Sequence, residues 1–381
     1  MSTAYAHLSP AHHTLLTRSE ALARDVLAPI ARDGEPGTVN RPLVAALSVH
    51  GLVPEVLGRG GEIRVLELCL MREGLARFST EAEIAFALQG LGAHPILAAG
   101  RPEVAGVWIP RVVYGEAVAA FALTEPAAGS DAASLSLTAE PDGDGFRLSG
   151  DKVFISNAPD ADIYSVFGRT TAGAGARGIT AFAVPRDSPG LSGAPISFIA
   201  DHPIGRLSFD GVRVPRSHVL GEVDHGFGVA MRTLDLFRPS VGAAAVGMAQ
   251  AALDAAVVHA LDRQAFGHAL AALQGVSHQL ADVATRVQAS RLLVHSAAAA
   301  HDAGIAPITE AAAMAKLFAT ETAAVAIDVA IQVHGARALE RGHLLEHLYR
   351  EVRGIRIYEG ASEVQREIIA RQLFRRAARG S

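Results

Sequence analysis

Phe121-Ala122-Leu123-Thr124-Glu125-Pro126-Ala127-Ala128-Gly129-Ser130-Asp131 stands where the texture of the chain turns from helical to extended. Read as residues, a short strand runs into a turn, Pro126 fixes the backbone and Gly129 permits a close approach. Exposed amides there, with the Thr124 and Ser130 hydroxyls, can hold a polar ring edge or a phosphate. A plain strand-end turn closed by an Asx-type bond from Asp131 is the other reading of the same residues. Upstream, from Ala11 to about Ala119, Leu15, Leu22 and Val26 recur at helical spacing. So do Val65, Leu68, Cys69 and Leu75, after the turn signal Gly58-Arg59-Gly60-Gly61. Downstream, Leu135 and Leu137 alternate with polar residues, and Pro141-Asp142-Gly143-Asp144-Gly145 is a hairpin-type turn. Lys152 to Ser156 and Ile179 to Val184 read as short strands.

Helical texture returns from Phe227. Val276, Leu280, Val283 and Val287 mark one apolar face and Met314, Leu317, Val325 and Val329 another, with Gly304 and Pro307 between them. Helices, strands, then helices predict an α+β fold in three parts, 1–119, 120–222 and 223–381. No G-x-G-x-x-G follows a strand and no P-loop, H-E-x-x-H or G-x-S-x-G occurs, so redox chemistry would need a cofactor held another way.

Composition bounds the classes. Half of the 381 residues are apolar and 19% charged, which is a globular chain, and the net charge of −5 gives no general attraction to nucleic acid or anionic lipid. A single cysteine, Cys69, fits a reducing cytoplasm. Met1 to Pro10 lacks a basic region followed by an apolar one, so no signal peptide is expected. Val241 to Leu261 is very apolar but is interrupted by Gln250, Asp254 and His259, which predicts a buried helix and no membrane span. No pairing among the sixteen histidines has metal-ligand spacing, so no metal is assigned.

The quoted run closely resembles the flavin-binding signature of the acyl-CoA dehydrogenase family. That resemblance implies FAD contacts at Phe121, Leu123, Thr124, Gly129 and Ser130, with Ser130 also near the thioester ligand. Lys152-Val153-Phe154-Ile155-Ser156-Asn157 is similar to the family's K-x-W-I-T-N. Phe154 and Ser156 keep an aromatic face and a hydroxyl there, and Ile155 lies between them. Leu207 to Pro215, Leu220-Gly221-Glu222 and Gly226-Phe227 look like the family's F-x-x-V-x-V-P…L-G-E…G-F passage. The preceding Asp201-His202-Pro203-Ile204-Gly205-Arg206 departs from the usual glycine-and-serine loop.

Asp235 and Arg238, three apart near Pro239, read either as a surface ion pair or, by resemblance, as a pair near the thioester and pantetheine. Some relatives place their catalytic glutamate just before this arginine; here Phe237 stands there. Arg263-Gln264-Ala265-Phe266-Gly267, followed by Gln274, resembles R-x-x-F-G, and Gln332-Val333-His334-Gly335-Ala336 resembles Q-x-x-G-G. In relatives these hold the flavin of a neighbouring subunit. The resemblance therefore implies that Arg263, Phe266, Gln274, Gln332 and Gly335 bind FAD, and that the protein is a homotetramer or dimer. A planar, always-charged guanidinium at Arg263 suits a diphosphate.

Ile357-Tyr358-Glu359-Gly360-Ala361-Ser362-Glu363-Val364-Gln365-Arg366 resembles Y-E-G-T-S-E-x-Q, whose first glutamate removes the substrate α-proton. A break between two helical runs can aim Glu359 into a cavity. By the resemblance, Tyr358 and Gly360 contact substrate, and Ala361 and Glu363 contact FAD.

The likeness runs from about Leu43 to Phe374 and implies an N-terminal helical domain, a middle β-barrel and a C-terminal four-helix bundle. The implied reaction is the α,β-dehydrogenation of an acyl-CoA thioester, with electron-transfer flavoprotein as acceptor. A carrier-protein-tethered acyl group, an oxidase, a flavin monooxygenase and a non-catalytic relative are the alternatives. Retention of Glu359 argues against the last two.

Overall fold

The structure is a computed structural model that describes residues 5–58 and 62–380. The turn expected at Gly58–Gly61 falls, for 59–61, outside the described residues. Two compact units form, each assembled from segments distant in sequence.

One unit comprises 1–28, 64–83 and 235–381. Helix α1 (Pro10–Leu22) starts where Ser9 Oγ accepts from the His12 amide and Pro10 occupies a position that needs no amide donor. Of the short helices that follow, α2 (Ala28–Arg32), α3 (Arg41–Val49) and α4 (Leu52–Leu57), all but the first residue of α2 fall in the other unit. Helix α5 (Val65–Phe78) has no cap of its own. The Asp302 carboxylate accepts from the Val65 and Leu66 amides at 2.7 and 3.0 Å instead.

Helices α6 (Thr80–Ala99), α7 (Pro102–Val113), α8 (Gly226–Asp262), α9 (Gln274–Asp302), α10 (Thr309–His334), α11 (Leu344–Ile355) and α12 (Ser362–Gly380) complete the helical set. Helix α8 is long and apolar enough to cross a membrane, yet 72% of its most apolar window is buried inside the protein. The core of this unit joins α1, α5, α8, α9, α10 and α11.

The apolar face of α10 differs from the sequence expectation. Val325 is exposed and Met314, Leu317 and Val329 are half-buried, whereas Ala312, Ala315, Ala319, Ala323, Ala326 and Ala330 are buried. Small side chains let helix backbones approach closely. A Cβ on Gly242 of α8 would come within 3.3 Å of the Ala315 carbonyl. Hydropathy alone ranks valine and leucine above alanine and so picked the wrong face.

The second unit, 29–63 and 84–234, carries an eight-stranded sheet. Its strands are β1 (Ala119–Ala122), β2 (Thr138–Asp142), β3 (Gly145–Ser156), β4 (Ile163–Arg169), β5 (Ile179–Pro185), β6 (Leu191–Pro195), β7 (Ile204–Pro215) and β8 (Val219–Leu220). They pair in the order β6-β7-β3-β2-β4-β5-β8, with β1 parallel to β4, around one apolar core. Leu135 and Leu137, expected in a strand, precede β2 in a 3₁₀ turn and its exit, although both are buried.

Helix α6 fixes the first strand in place. Gln89 donates to the Ala117 carbonyl and accepts from the Ala119 amide, both at 2.9 Å. At Gly92 a Cβ would lie 2.6 Å from the Ala119 carbonyl carbon, so only glycine allows the approach. The strand is thereby aimed so that its end delivers Leu123 and Thr124.

Candidate active site

Two clusters of the expected residues form, one in each unit. In the sheet unit the Thr124 and Phe154 segments come together. The Val153 amide donates to the Thr124 carbonyl at 3.0 Å, and Lys152 Nζ donates to the Leu123 carbonyl at 3.0 Å. Lys152 also donates to Glu125 Oε1 at 2.8 Å, and both side chains are buried. Glu125 accepts three further bonds, from the Ser136 amide and hydroxyl and from the Leu137 amide. Burial works against the Glu125 carboxylate, but Lys152 and these donors hold it below the usual range. Sequence reading quoted both residues without giving them this role.

Strand β3 loses register with β7 between Lys152 and Ile155, and at that bulge Phe154 takes a left-handed backbone, φ 57°. The bulge turns the Phe154 ring outward to 57% exposure while Ile155 stays buried. Phe198 meets that ring edge-on with centroids 5.8 Å apart. No motif flagged Phe198; the signal was an apolar Phe198-Ile199 pair just before the loop at Asp201. That loop is tied in where the Asn157 amide donates to the Pro203 carbonyl at 2.6 Å. Phe121 packs on Phe167, Leu123 is buried, Thr124 and Ser156 are half-buried, and Gly129 and Ser130 are exposed.

An outward aromatic face, hydroxyls on both sides and a buried carboxylate neutralised by Lys152 fit an uncharged, hydrogen-bonding ring system such as isoalloxazine. When bound, FAD supplies a hydride acceptor, chemistry that no side chain of this chain provides.

In the helical unit Glu359 sits in the break between α11 and α12. Its φ is 51° and that of Gly360 is 93°, two successive left-handed residues, and a non-glycine there costs about 1–3 kcal/mol. Two fully buried side chains hold this backbone. Lys316 Nζ donates to the Gly360 carbonyl at 2.8 Å, and Gln365 Nε2 donates to Gly360 at 2.9 Å and to the Glu359 carbonyl at 3.3 Å.

The Glu359 Oε2 atom is buried without a hydrogen-bond partner among the described residues. Burial pushes its carboxyl above the usual range; the cations Arg72, Lys316 and Arg238 oppose this, and the Glu83 carboxylate adds to it. Arg72, itself buried, donates to Glu83 through Nε and to Ser240 Oγ at 2.7 Å. Burial first, and Glu83 second, push the Tyr358 phenol well above its ordinary value, so it stays neutral. Arg238 pairs with Asp235, whose other oxygen accepts from Thr309 at 3.0 Å. The Arg238 side chain is 6% exposed, so the pair is not a surface bridge. Phe237, at the alternative base position, is buried. Arg72, Glu83 and Lys316 went unassigned in the sequence because nothing local marks them, and Gln365, the glutamine of the quoted motif, was given no role.

The remaining residues lie on the surface. Arg263 borders a cleft of about 1210 Å³ with Arg77, His259, His334, Arg337 and His343. Phe266, φ 52° and 91% exposed, stands at the tip of the hairpin between Gln264–Ala265 and His268–Ala269. Gln274, Gln332 and Gly335 are exposed; Ala361 is half-buried, and the exposed Glu363 pairs with Arg366.

A helical set plus a mixed sheet, with a buried carboxylate at a helix break, defines a scaffold of the α+β class. Models of the acyl-CoA dehydrogenase N-terminal, middle and C-terminal domains match residues 9–116, 120–212 and 224–374. An acyl-CoA dehydrogenase of Bacillus subtilis is 37% identical over 87% of this chain and 89% of its own length. The Caffeyl-CoA reductase-Etf complex subunit CarC of Acetobacterium woodii is 34% identical over 93% and 94%. A solved FAD complex of PigA superposes with a TM-score of 0.91 at 27% identity, over 97% of this chain and 99% of that one. The chain belongs to the acyl-CoA dehydrogenase family. It is an FAD-dependent oxidoreductase of the acyl-CoA dehydrogenase type.

Proposed function

We propose that this protein removes the α-proton of an acyl-CoA with Glu359 and yields a trans-2-enoyl thioester. The observation that carries this reading is the buried, unpartnered Glu359 oxygen at a strained helix break. An α-C–H beside a thioester is a weak acid, so its base must be dry and close to neutral in pKa. Burial supplies the first condition and moves the carboxyl upward, toward the second. Arg238, which acts on the Glu359 charge, and Tyr358, next to Glu359 in the chain, are read as contacts of the thioester part of the substrate. Asp235 fixes Arg238, and Gly360 is read as a contact of the substrate. Loss of activity as pH falls is expected above the ordinary carboxylate range, since Glu359 acts only when ionised.

FAD is read as held by Phe121, Leu123, Thr124, Gly129, Ser130, Phe154, Ile155 and Ser156, and by Ala361 and Glu363. From a second copy, Arg263, Phe266, Gln274, Gln332 and Gly335 complete the site. Exposed Leu261, Phe266, Leu339 and Leu344 support such a copy, because a lone chain rarely leaves so many large apolar groups in water. We take the assembly as a homotetramer, the three matched segments as domains 1–119, 120–222 and 223–381, the place of action as the cytoplasm, and the electron acceptor as electron-transfer flavoprotein.

Anaerobic mixing of the yellow holoprotein with butyryl-, isobutyryl-, palmitoyl-, glutaryl- and cyclohexane-1-carbonyl-CoA tests the activity. At least one should bleach the flavin; bleaching by none of these thioesters, with FAD bound, would contradict the assignment. Arg263→Ala should weaken FAD binding by about 1.5–3 kcal/mol, the scale of a hydrogen bond to a charged group. Full flavin occupancy in a monomer by light scattering would contradict the shared site.

A further inference from the structure

We infer that Lys316 and Gln365 are positioning residues that clamp the left-handed Glu359–Gly360 backbone, and that the Lys316 ammonium is a counter-charge, beside Arg72, that favours the Glu359 carboxylate. The inference rests on Glu359 being the base, and nothing in the family comparisons assigns either residue. Three bonds converge on two consecutive carbonyls, from α10 through Lys316 and from α12 through Gln365. Both side chains are wholly buried, and a buried lysine is costly unless a charge or carbonyl compensates it. A Cβ at Gly360 would lie 2.3 Å from Gln365 Nε2, so the clamp closes only on glycine.

The break is further fixed where the Ser362 amide donates to the Arg356 carbonyl at 3.1 Å. Its hydroxyl donates to Glu321 at 2.6 Å. Glutamate at φ 51° is unfavourable on its own, so the clamp holds the carboxylate where a relaxed backbone would not.

The charges around Glu359 come from four helices. Arg72 on α5, Arg238 on α8 and Lys316 on α10 are cations, and Glu83 on α6 is an anion, with the neutral Tyr358 adjacent. Arg72 is matched to Glu83 and Arg238 to Asp235. Lys316 faces a carbonyl instead, and of these cations it alone has no short carboxylate contact among the described residues. Arg72 acts most strongly on the Glu359 carboxylate, and Lys316 comes next as the cation that also holds its backbone. Burial pushes the Lys316 ammonium down to about 8, and the Glu359 carboxylate opposes that shift.

The two residues separate the two roles. Lys316→Gln keeps a donor near Gly360 and removes the charge; Gln365→Leu keeps the charge and removes two bonds. Infrared difference spectra of the holoprotein against pH follow the protonated Glu359 carbonyl band, identified by its loss in Glu359→Gln, and need no substrate. In Lys316→Gln that band should persist to a pH about one unit or more higher than in the wild type. In Gln365→Leu the band should titrate as in the wild type. Flavin reduction by the most active thioester should meanwhile fall at least about tenfold, because a displaced base loses its alignment.

An unmoved band in Lys316→Gln, or wild-type reduction in Gln365→Leu, would overturn the corresponding half. Should Lys316→Gln fail to hold FAD, Lys316→Met refolded with FAD gives the same titration. Failure of the base assignment itself shows separately, as wild-type flavin reduction in Glu359→Gln with the Lys316 titration still moved.

Discussion

Glu359→Gln is expected to purify yellow and to bind thioesters, yet to reduce its flavin at least about 10²–10⁴-fold more slowly than the wild type. The amide keeps the shape of the carboxyl and removes the proton acceptor. Backbone geometry should survive, because the clamp from Lys316 and Gln365 grips the Glu359 and Gly360 carbonyls and leaves the side chain alone. The fold does not depend on this side chain either, since its buried Oε2 has no partner to lose. Removing a buried carboxylate whose pKa burial raises should, if anything, leave stability unchanged or higher near neutral pH. A thermal scan checks that point: a large drop in melting temperature with Glu359→Gln would mean the residue is structural.

The second large effect is expected at Lys152→Met. The variant leaves the Glu125 carboxylate buried with no cation and deletes the bond to the Leu123 carbonyl. Breaking a buried pair from one side costs about 3–5 kcal/mol, most of it the penalty of an uncompensated charge. The urea midpoint should fall accordingly, and FAD retention should fall with it, since Lys152 ties the Thr124 and Phe154 segments together. Lys152→Met combined with Glu125→Leu should recover most of the stability, as no stranded charge remains. The sign with pH follows from Glu125. Its folded carboxyl sits below the unfolded value, so its contribution is present above the ordinary carboxylate range and lost as pH falls into that range. A single variant as stable as the wild type would show that the pair is dispensable.

Both predictions concern residues that the sequence exposes to different degrees. Glu359 was legible because Tyr358-Glu359-Gly360 interrupts two helical runs, and the strand run 179–184 was legible from its apolar, β-branched content. Its neighbour Lys316 was not, since a lysine in an alanine-rich helix reads as a solvated face, and it is tertiary packing that buries it. Arg72 and Glu83 are eleven residues apart on two helices, a pairing without local signature. The buried side of α10 was misread for a related reason. Close helix packing selects alanine, and hydropathy does not register closeness.

Phe154 shows the opposite limit. Its strand was predicted, but the bulge that turns the ring outward arises from register with β7 and cannot be seen in β3 alone.

Deuterium at the acyl α-carbon gives the most direct test of the central claim. Stopped-flow bleaching of the wild-type holoprotein, under anaerobic conditions, is compared for the most active acyl-CoA and its fully α-deuterated form. Proton abstraction by Glu359 predicts slower bleaching with the deuterated thioester, stronger below the pH at which Glu359 ionises. It also predicts no bleaching on this timescale by either form in Glu359→Gln. Equal bleaching rates for the two thioesters, together with wild-type rates in Glu359→Gln, would contradict it.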